Sequence, residues 1–488
     1  MKLKELLSAA RILVCGNPET EITGIAYDTR KLKPGNLFVC IVGTKSDGHD
    51  YINAAVEAGA VAVSVTKDVT VPEGVAVVKT DDDRAALAEL SAVWFGHPAE
   101  KLTMIGLTGT KGKTTTSVMI RETLEKAGIS CGLIGSIENI IGDERFPSSH
   151  STPESYDLQD YLARMVNKGV RAVVMEVSSQ GLKMKRVHGI TFDYGVFTNF
   201  GVDHIGDGEH ESLEEYFACK RMLFAVSRTG IFNGDDPRAD DMMADQPCKK
   251  VVFGRSEQAD YRLSDVKLTN DAGSLGVSFT VSGRLNTPVF VDIPGAFNAY
   301  NSLAALSVCA EMGIDTGIIT DIMKHIHVRG RVEPVKVSDK FSVMIDYAHN
   351  GMALRSLLGT LREYKPKRLV CLFGCGGNRS KDRRYEMGEI SSQMADLTVA
   401  TSDNPRFEEP ADILADIVTG IKKVDGAYVT IIDRREAIHY ALDHAEPGDC
   451  IVIAGKGHED YQEIRGVKYH MDDREMVLEE AAKLGLYC

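Results

Sequence analysis

This sequence of 488 residues has no C-x-x-C cysteine pairs and no long apolar runs, and tryptophan occurs only once. The ten cysteines are scattered and form no C-x-x-C pair, which argues against a disulfide framework or a zinc site and predicts reduced, buried thiols. No apolar run approaches the ~18 residues of a membrane span, and the amphipathic start MKLKELLSAARILV lacks the layout of a secretory signal. We therefore expect a cytoplasmic enzyme with no membrane partner.

Positive charge is also in deficit. Lysine and arginine number 56 against 70 aspartates and glutamates, so the formal net charge is −14. Non-specific binding to DNA or RNA needs a basic face, and we expect no nucleic-acid partner. A local cationic pocket for a phosphorylated substrate remains compatible with this balance.

The segment 104–116, MIGLTGTKGKTTT, has the pattern of a phosphate-binding loop. An apolar strand leads into a Gly-rich turn, and a helix is predicted from Ser117 to Ala127, the context in which backbone N–H groups surround a phosphate. Leu107 stands where the usual pattern has glycine, and an ordinary Gly/Thr-rich turn is the alternative. The sequence favours a nucleoside triphosphate site formed by Thr108, Gly109, Thr110, Lys111, Gly112, Lys113, Thr114 and Thr115. A motor or GTPase is disfavoured because the guanine-reading motif N-K-x-D is absent.

The order of apolar segments predicts an α/β protein of three domains. Residues 1–100 are expected to form a small α/β domain, and residues 101–333 a doubly wound, mostly parallel sheet with antiparallel strands at its edge over 261–293. In residues 334–488 the pattern restarts as a Rossmann-like α/β domain without its own phosphate loop. This arrangement predicts an enzyme that brings substrates together across interdomain clefts.

Three positions after the loop suggest a metal site. Glu176 ends a predicted strand, where a carboxylate can hold Mg²⁺, although a capping acid is the alternative. His204 follows Asp203 after the next strand, a pairing that is weak evidence alone. A lysine ammonium such as Lys220 repels Mg²⁺, but carbamylation by CO₂ would turn it into an oxygen ligand; from the sequence alone, a solvated helical lysine is the simpler interpretation.

Polar turns also follow strands in the first domain. Asp28-Thr29-Arg30 and Thr44-Lys45-Ser46-Asp47-Gly48 place hydroxyls, amides and cations where a diphosphate or a uracil edge could bind. Turns are polar in any case, so both interpretations stay open.

Taken together, these motifs resemble the Mur ligases, the ATP-dependent amide-forming family of peptidoglycan assembly. The matching segments run in order along the chain: TGTKGKTT (108–115), MEVSS (175–179), TNxxxDH (198–204), HxxxxxYxxxK (210–220), GAFNAYNSLAA (295–305), GRVE (330–333) and DYAHN (346–350). With the flanking turns and the motifs near the C-terminus, the resemblance covers nearly the whole chain.

Within the family, the chain is most similar to members that add meso-2,6-diaminopimelate to UDP-N-acetylmuramoyl-L-alanyl-D-glutamate. The similarity lies in FGCGGNR (373–379), DNPR (403–406) and GKGHEDYQ (455–462). Arginine can grip the extra carboxylate of diaminopimelate bidentately, while an acid such as Glu459 or Asp403 takes the ammonium. Relatives that add lysine usually lack the DNPR arginine. The alternative is that Asn404-Pro405 is only a turn.

The resemblance implies roles for individual residues. Lys113 and Thr114 would hold the γ-phosphate and Mg²⁺, and Glu176, His204 and carbamylated Lys220 would complete the metal shell. ATP would also contact Asn298, Arg331, Asp346 and Lys381, and the catalytic set would be Lys113, Lys220, Glu176, His204 and Arg331. The residues implied for the UDP-sugar dipeptide are Thr29, Thr44, Lys45, Ser46, Ser151, Thr152, Ser178, Met184 and Arg186. Those implied for diaminopimelate are Arg379, Asp403, Asn404, Pro405, Arg406, Gly455 and Glu459.

The chain departs from the family pattern around the nucleotide-sugar substrate. His150-Ser151-Thr152-Pro153 replaces N-T-T-P, Met184 replaces a glutamine, and the second acid after His204 is shifted to Asp207. A paralogue that adds L-lysine or another amino acid, or that uses an altered acceptor, is therefore an alternative. More distant alternatives are a folylpolyglutamate synthase-like enzyme and a nucleotide-gated scaffold. The expected partners are small-molecule substrates only, and the expected state is a monomer.

Overall fold

The computed structural model of the chain describes residues 1–9, 14–15, 17–43, 46–203, 205–206, 209–271 and 274–486. The chain divides into two compact units, one of Met1–Asp260 with Ala304–Ile314 and one of Tyr261–Leu303 with Asp315–Cys488. Helices alternate with mostly parallel strands in both, which confirms the α/β class. The predicted domain boundaries at 100 and 333 stay predictions.

The first unit begins with a five-stranded sheet of order β1-β5-β4-β3-β2, parallel except for β1. Two strands, β3 and β4, are buried along their whole length, which suits their apolar, β-branched sequences. Its elements are α1 (Leu3–Ala9), β1 (Val14–Cys15), β2 (Gly24–Ala26), β3 (Asn36–Val39), α2 (Ile52–Glu57), β4 (Ala62–Val65), β5 (Ala76–Lys79) and α3 (Asp83–Trp94).

A second, larger sheet follows in the same unit, and its strands run β13-β12-β11-β6-β10-β7-β8-β9. The strands from β13 to β7 are parallel, and β8 and β9 add an antiparallel edge. The elements are β6 (Thr103–Thr108), α4 (Lys113–Lys126), β7 (Cys131–Ile134), β8 (Glu138–Ile141), β9 (Glu144–Pro147), α5 (Ser155–Asn167), β10 (Ala172–Glu176), α6 (Ser179–Lys183), β11 (Phe192–Phe197), α7 (Leu213–Ala225), β12 (Ser227–Asn233), α8 (Ala239–Met243) and β13 (Lys249–Gly254).

Strand β6 lies between β10 and β11, and the ends of these three strands carry the predicted phosphate loop and metal residues. Leu107 pairs with Glu176 of β10, and Thr108 pairs with Phe197 of β11. In a parallel sheet these carboxyl ends meet at one edge, the usual ligand position in open α/β sheets. The sheet therefore brings three distant segments to one place.

The helix after the loop begins earlier than predicted. It starts at Lys113 rather than Ser117, because Gly112 takes a left-handed conformation (φ +85°) and ends the loop directly before it. The lysine and threonine of the GKT motif thus lie in the first turn of α4, where N–H groups without helical partners favour an anion.

The second unit contains the antiparallel strands predicted over 261–293. Strand β15 pairs with β14 on one side and with β16 on the other, both antiparallel. The elements are β14 (Tyr261–Asp271), β15 (Ser274–Gly283), β16 (Thr287–Val291), α9 (Phe297–Glu311, within which the two units divide) and α10 (Thr316–His325).

The rest of the second unit is built on a sheet of order β17-β18-β22-β19-β20-β21, parallel except for β17. Asp346 and Phe373 both pair with Ala454, so three loops leave the same edge of this sheet. The elements are β17 (Glu333–Pro334), β18 (Ser342–Asp346), α11 (Gly351–Arg362), β19 (Arg368–Phe373), α12 (Lys381–Met394), β20 (Leu397–Ala400), α13 (Pro410–Ile421), β21 (Tyr428–Thr430), α14 (Arg434–Asp443), β22 (Asp449–Ala454), β23 (Tyr461–Ile464), β24 (Val467–His470) and α15 (Asp473–Lys483).

A fully buried ion pair joins the last helix to this sheet. Arg434 donates from Nε and Nη2 to the two carboxylate oxygens of Asp473 on α15, both at 2.7 Å. The same guanidinium donates to the carbonyls of Ser402 (3.3 Å) and Ala454 (3.1 Å). Because buried charges need partners, this pair fixes α15 to the residues that precede two of the edge loops.

The cysteines whose surroundings the structure describes are free thiols and buried, as the sequence predicts: Cys40, Cys131, Cys219, Cys248, Cys309, Cys371, Cys375 and Cys450. Of the helices in the described ranges, none is both long and apolar enough to cross a bilayer.

Candidate active site

The phosphate loop depends on glycine at position 109. Gly109 has a φ of +148°, and a Cβ atom there would lie 2.0 Å from the Thr198 hydroxyl oxygen. Any side chain would therefore push the loop away from β11. Gly109 accordingly makes the turn, in place of the glycine that the usual pattern has at position 107.

Residues after β11 brace the loop. Asn199 accepts a hydrogen bond from the Lys111 backbone N–H (2.9 Å) and donates from its side-chain amide to the Lys111 carbonyl (2.9 Å). The Thr198 hydroxyl donates to the same carbonyl at 2.7 Å, and the Gly201 N–H donates to the Thr110 hydroxyl at 2.9 Å. The conformation of the loop is therefore fixed by the TNxxxDH segment.

Two lysines meet at one backbone carbonyl. Lys113 and Lys220 both donate from Nζ to the Gly109 oxygen, at 2.8 and 2.9 Å. Lys220 is only 1% exposed, and its Nζ lies 4.3 Å from the centre of the Tyr216 ring. Burial, and secondly the charge of Lys113, hold the pKa of Lys220 well below its usual value. The structure thus corrects the simpler interpretation of Lys220 as a solvated helical lysine.

Oxygen atoms of the kind that bind Mg²⁺ lie at the start of α4. The Thr114 hydroxyl donates to Oε1 of Glu176 at 2.9 Å, and Ser136 donates to the same carboxylate from its N–H and its hydroxyl, both at 2.9 Å. His204 lies outside the described residues. Among those described, no cluster of three or more His, Cys, Asp or Glu side chains forms a metal site. A hydroxyl with one carboxylate fits Mg²⁺, which is usually held by a few protein oxygens together with substrate phosphates and water.

Several residues implied for the UDP-sugar dipeptide lie beside Glu176. The Thr152 hydroxyl donates to the Glu176 carbonyl and lies 3.0 Å from the Ser178 hydroxyl. Arg186 donates to the Thr152 carbonyl at 3.0 Å, and Ser151 contacts Ser136 at 2.7 Å. These distant segments therefore form one polar cluster.

The remaining residues implied for this substrate are more scattered. Met184 is half-buried directly after α6, and Thr29 lies in a short 3₁₀ turn. The Ser46 carbonyl accepts from Gly43 at 2.8 Å. Thr44 and Lys45 lie outside the described residues.

The other residues implied for ATP belong to the second unit. Buried Asn298 donates to the Pro294 carbonyl at 2.8 Å, and Lys381 pairs with Asp416 at 3.3 Å. The Asp346 carboxylate accepts from the N–H groups of Val332 and Ala348, both at 2.8 Å. Burial raises its pKa, and the charge of nearby Arg331 opposes that rise.

Asn404 connects the residues implied for diaminopimelate. Its side chain donates to Glu459 at 2.9 Å and accepts from the Glu463 N–H at 2.8 Å. Arg406 donates to the Gly377 carbonyl at 2.8 Å, so the loops after β19 and β20 are joined. Arg379 is exposed at the end of the first of these loops.

The same edge is closely packed around Asp403. Burial raises the pKa of Asp403, against the opposing charges of Lys456 and Arg434. Gly455 has a φ of +111°, and a Cβ there would lie 2.9 Å from an Asp403 carboxylate oxygen. A Cβ at Gly377 would meet the Pro405 carbonyl oxygen at 1.9 Å, so both loops approach as closely as glycine allows.

The structure adds residues that the sequence did not single out. Ser136 lies in an ordinary turn and donates two hydrogen bonds to the Glu176 carboxylate. Arg384, 1% exposed, donates to Glu408 and Asp416 at 2.8 and 2.9 Å and so joins α12 to the residues that follow the DNPR segment. No local signal marks these residues, because their partners are distant in the chain.

Comparisons with known proteins agree with this geometry. Family profiles match in order along the chain: the Mur ligase family catalytic domain at residues 21–105, the Mur ligase middle domain at 107–309 and the Mur ligase glutamate ligase domain at 330–457. A UDP-N-acetylmuramoyl-L-alanyl-D-glutamate–2,6-diaminopimelate ligase of Caldanaerobacter subterraneus subsp. tengcongensis is 42% identical, over 99% of both chains. The enzyme of the same name, numbered 1, from Clostridium acetobutylicum is 41% identical over 98% of this chain and 99% of its own.

The fold agrees as well. A solved structure of a UDP-N-acetylmuramoyl-L-alanyl-D-glutamate–2,6-diaminopimelate ligase superposes with a TM-score of 0.73 at 28% identity, and covers 99% of this chain and 100% of its own. Full-length identity above 40% with two relatives, together with profiles that span most of the sequence, confirms the resemblance found in the motifs. The chain belongs to the Mur ligase family and is an ATP-dependent acid–amino-acid ligase.

Proposed function

We propose that this ligase joins meso-2,6-diaminopimelate to the D-glutamate γ-carboxylate of UDP-N-acetylmuramoyl-L-alanyl-D-glutamate, through an acyl phosphate, in peptidoglycan precursor synthesis. The observation that carries the proposal is the junction at Asn404, which holds the carboxylate of Glu459 beside the segment that bears Arg406. The names of the most similar relatives support the same substrates.

This junction suits the far end of diaminopimelate, which carries both an ammonium and a carboxylate. The guanidinium of Arg406 can take the carboxylate with two parallel hydrogen bonds, and the Glu459 carboxylate can take the ammonium. A lysine substrate has only the ammonium there and would offer no carboxylate to the remaining N–H groups of Arg406. The arrangement therefore favours diaminopimelate over lysine.

The phosphate loop supports the ATP half of the reaction. Lys113 and the first N–H groups of α4 would bind the outer phosphates. Thr114 and Glu176 would hold Mg²⁺, with His204 and a carbamate on Lys220 as further ligands. Bound Mg²⁺ would neutralise charge on the phosphate oxygens. The carbamate is supported by the burial of Lys220 beside the Gly109 carbonyl, because its N–H could keep that hydrogen bond while its oxygens face the site.

The acceptor would bind at the cluster around Thr152, Ser178 and Arg186, whose hydroxyls and guanidinium suit a carboxylated peptide. Its γ-carboxylate attacks the γ-phosphorus of ATP, and ADP leaves. The amine of diaminopimelate then attacks the acyl carbon, loses a proton, and phosphate leaves. Lys113 and Arg331 would stabilise the developing negative charge, so the chain mainly orients and neutralises the reactants.

The three domains predicted with boundaries at 100 and 333 are part of this proposal, as are a cytoplasmic location, a monomeric state and small-molecule partners only. Their support is the order of the matching profiles and the family membership.

The test is phosphate release by the purified full chain with Mg²⁺-ATP and UDP-N-acetylmuramoyl-L-alanyl-D-glutamate. Meso-diaminopimelate, L-lysine and L-ornithine are compared, and the product is weighed by mass spectrometry. We expect release and a tripeptide product with diaminopimelate alone. Release with lysine instead would contradict the proposed role of the DNPR segment, and release with none would contradict the proposed acceptor and direct attention to His150 and Met184.

Replacing Ser136 with alanine should weaken the proposed metal site. The change removes the hydroxyl that donates to Glu176 at 2.9 Å but keeps the backbone donor. Partners that orient a metal ligand change affinity by about 10-fold when lost, so the Mg²⁺ concentration for half-maximal rate should rise about 10-fold. Exposed Ser149→Ala is the control, and an unchanged Mg²⁺ dependence in Ser136→Ala would contradict the site.

A further inference from the structure

The hairpin β23–β24 is hydrogen-bonded to the DNPR segment, residues 403–406. The bonds involve three hairpin residues, Gln462, Glu463 and Arg465, and both backbone and side-chain atoms. They are Gln462 Nε2 to Asp403 O (2.7 Å), Glu463 N to Asn404 Oδ1 (2.8 Å), Arg406 N to Glu463 O (3.0 Å) and Arg465 N to Arg406 O (2.7 Å), the last three from one continuous contact. The hairpin therefore supports the segment along its length.

One side chain of the hairpin contacts the guanidinium itself. Arg406 donates from Nε to Oε2 of Glu463 at 3.2 Å, while its Nη1 donates to the Gly377 carbonyl at 2.8 Å. Arg406 also has a left-handed backbone (φ +51°), which non-glycine residues rarely adopt. The hairpin therefore fixes the backbone of Arg406, and the contacts with Glu463 and Gly377 fix its guanidinium.

We propose that Glu463 is a positioning residue that orients Arg406 toward the far carboxylate of the amine substrate, an inference that rests on the proposed function. A guanidinium is planar, so contacts at Nε and Nη1 set the orientation of all five of its N–H groups. Within the described part of the chain, these bonds use two of the five groups, and three remain for a carboxylate.

The orientation of the Arg406 guanidinium matters because the side chain is 24% exposed. Without a fixed partner, its several rotatable bonds would let the guanidinium move. Ordering such a side chain at the moment of binding lowers the affinity for the substrate. Glu463 orders it beforehand, so the substrate carboxylate meets a guanidinium that is already in place. Removing Glu463 should therefore weaken binding of the amine and leave the ATP site unaffected.

The experiment must distinguish this role from direct contact between the Glu463 carboxylate and the substrate ammonium. The two roles separate on substitution by glutamine. Glutamine keeps an oxygen that can accept from Arg406 Nε but has no charge for an ammonium. A positioning residue is therefore rescued by glutamine, and a direct ion-pair partner is not.

The experiment measures the Michaelis constants of the full chain for diaminopimelate and for ATP. In Glu463→Ala, we expect the KM for diaminopimelate to rise about 10-fold, the effect of losing one hydrogen bond to a charged group, with kcat and the KM for ATP nearly unchanged. Glu463→Gln should recover most of this loss. The matched control is Glu409→Gln, because Glu409 pairs with Arg465 of the same hairpin in an exposed contact of 3.4 Å.

The outcomes separate this inference from the proposed function. If the wild-type chain releases no phosphate with diaminopimelate, the proposed function fails and the inference fails with it. If the wild type is active and Glu463→Ala leaves the KM for diaminopimelate unchanged, or raises that for ATP equally, the inference alone is overturned. Equal damage in Glu463→Gln and Glu463→Ala would overturn it in favour of direct ammonium binding.

Discussion

Lys220→Ala is expected to lower turnover about 1,000-fold, since it removes a proposed ligand of the Mg²⁺ that would neutralise charge on the phosphates in the transition state. Its Nζ is buried against the Gly109 carbonyl of the phosphate loop. If Lys220 carries a carbamate, the variant loses a metal ligand and leaves a cavity that a small carboxylate can fill. A short carboxylate such as formate or acetate should then restore part of the turnover, measured as phosphate release.

Lys126→Ala is the matched control for this experiment, because Lys126 lies exposed in the last turn of α4. Its turnover should stay within about twofold of wild type, as expected for a surface substitution. Full activity in Lys220→Ala would contradict the carbamate. Loss of activity that no carboxylate restores would assign Lys220 to holding the Gly109 carbonyl, as the amine does in the structure.

Arg406→Lys should raise the KM for diaminopimelate about 100-fold, equivalent to about 2.7 kcal/mol, with little change for ATP. A lysine ammonium is a point charge and cannot form two parallel hydrogen bonds with a carboxylate. It would also give up the contacts that Arg406 makes with Gly377 and Glu463. The substitution thus removes the grip and its orientation together.

The control for this prediction is Arg465→Lys, on the same hairpin with 77% of its side chain exposed. Exposed ion pairs contribute about 0–1 kcal/mol, so this variant should have nearly wild-type constants. Measuring KM for diaminopimelate and ATP in both variants decides the matter. An unchanged KM for diaminopimelate in Arg406→Lys would exclude the proposed grip.

Local patterns allowed much of the fold to be predicted. The strand predicted to end at Glu176 is Ala172–Glu176 in the structure, and its apolar, β-branched residues indicated it because such runs form strands buried on both faces. The next strand, predicted to precede Asp203, is Phe192–Phe197 in the structure. The phosphate loop was also predicted from a local pattern, because its glycines, lysine and threonine are adjacent in the chain.

The interactions that complete the site could not be predicted in this way. Asn199 braces Lys111 from 88 positions away, and Glu463 reaches Arg406 across 57. Such contacts depend on which strands are neighbours in the sheet, and single residues in polar turns do not encode that order. The start of α4 was placed too late for a local reason, because the left-handed backbone at Gly112 is not evident from composition.

The buried pair of Arg434 and Asp473 has a consequence for how the chain can be engineered. A version shortened before α15 would keep the guanidinium in the protein interior and remove its counter-charge, a loss that typically costs about 3–5 kcal/mol. Domains are stable by only about 5–15 kcal/mol, so this truncation would consume a large part of that margin. Purification tags and fusion partners should therefore extend the C-terminus and never replace its last helix.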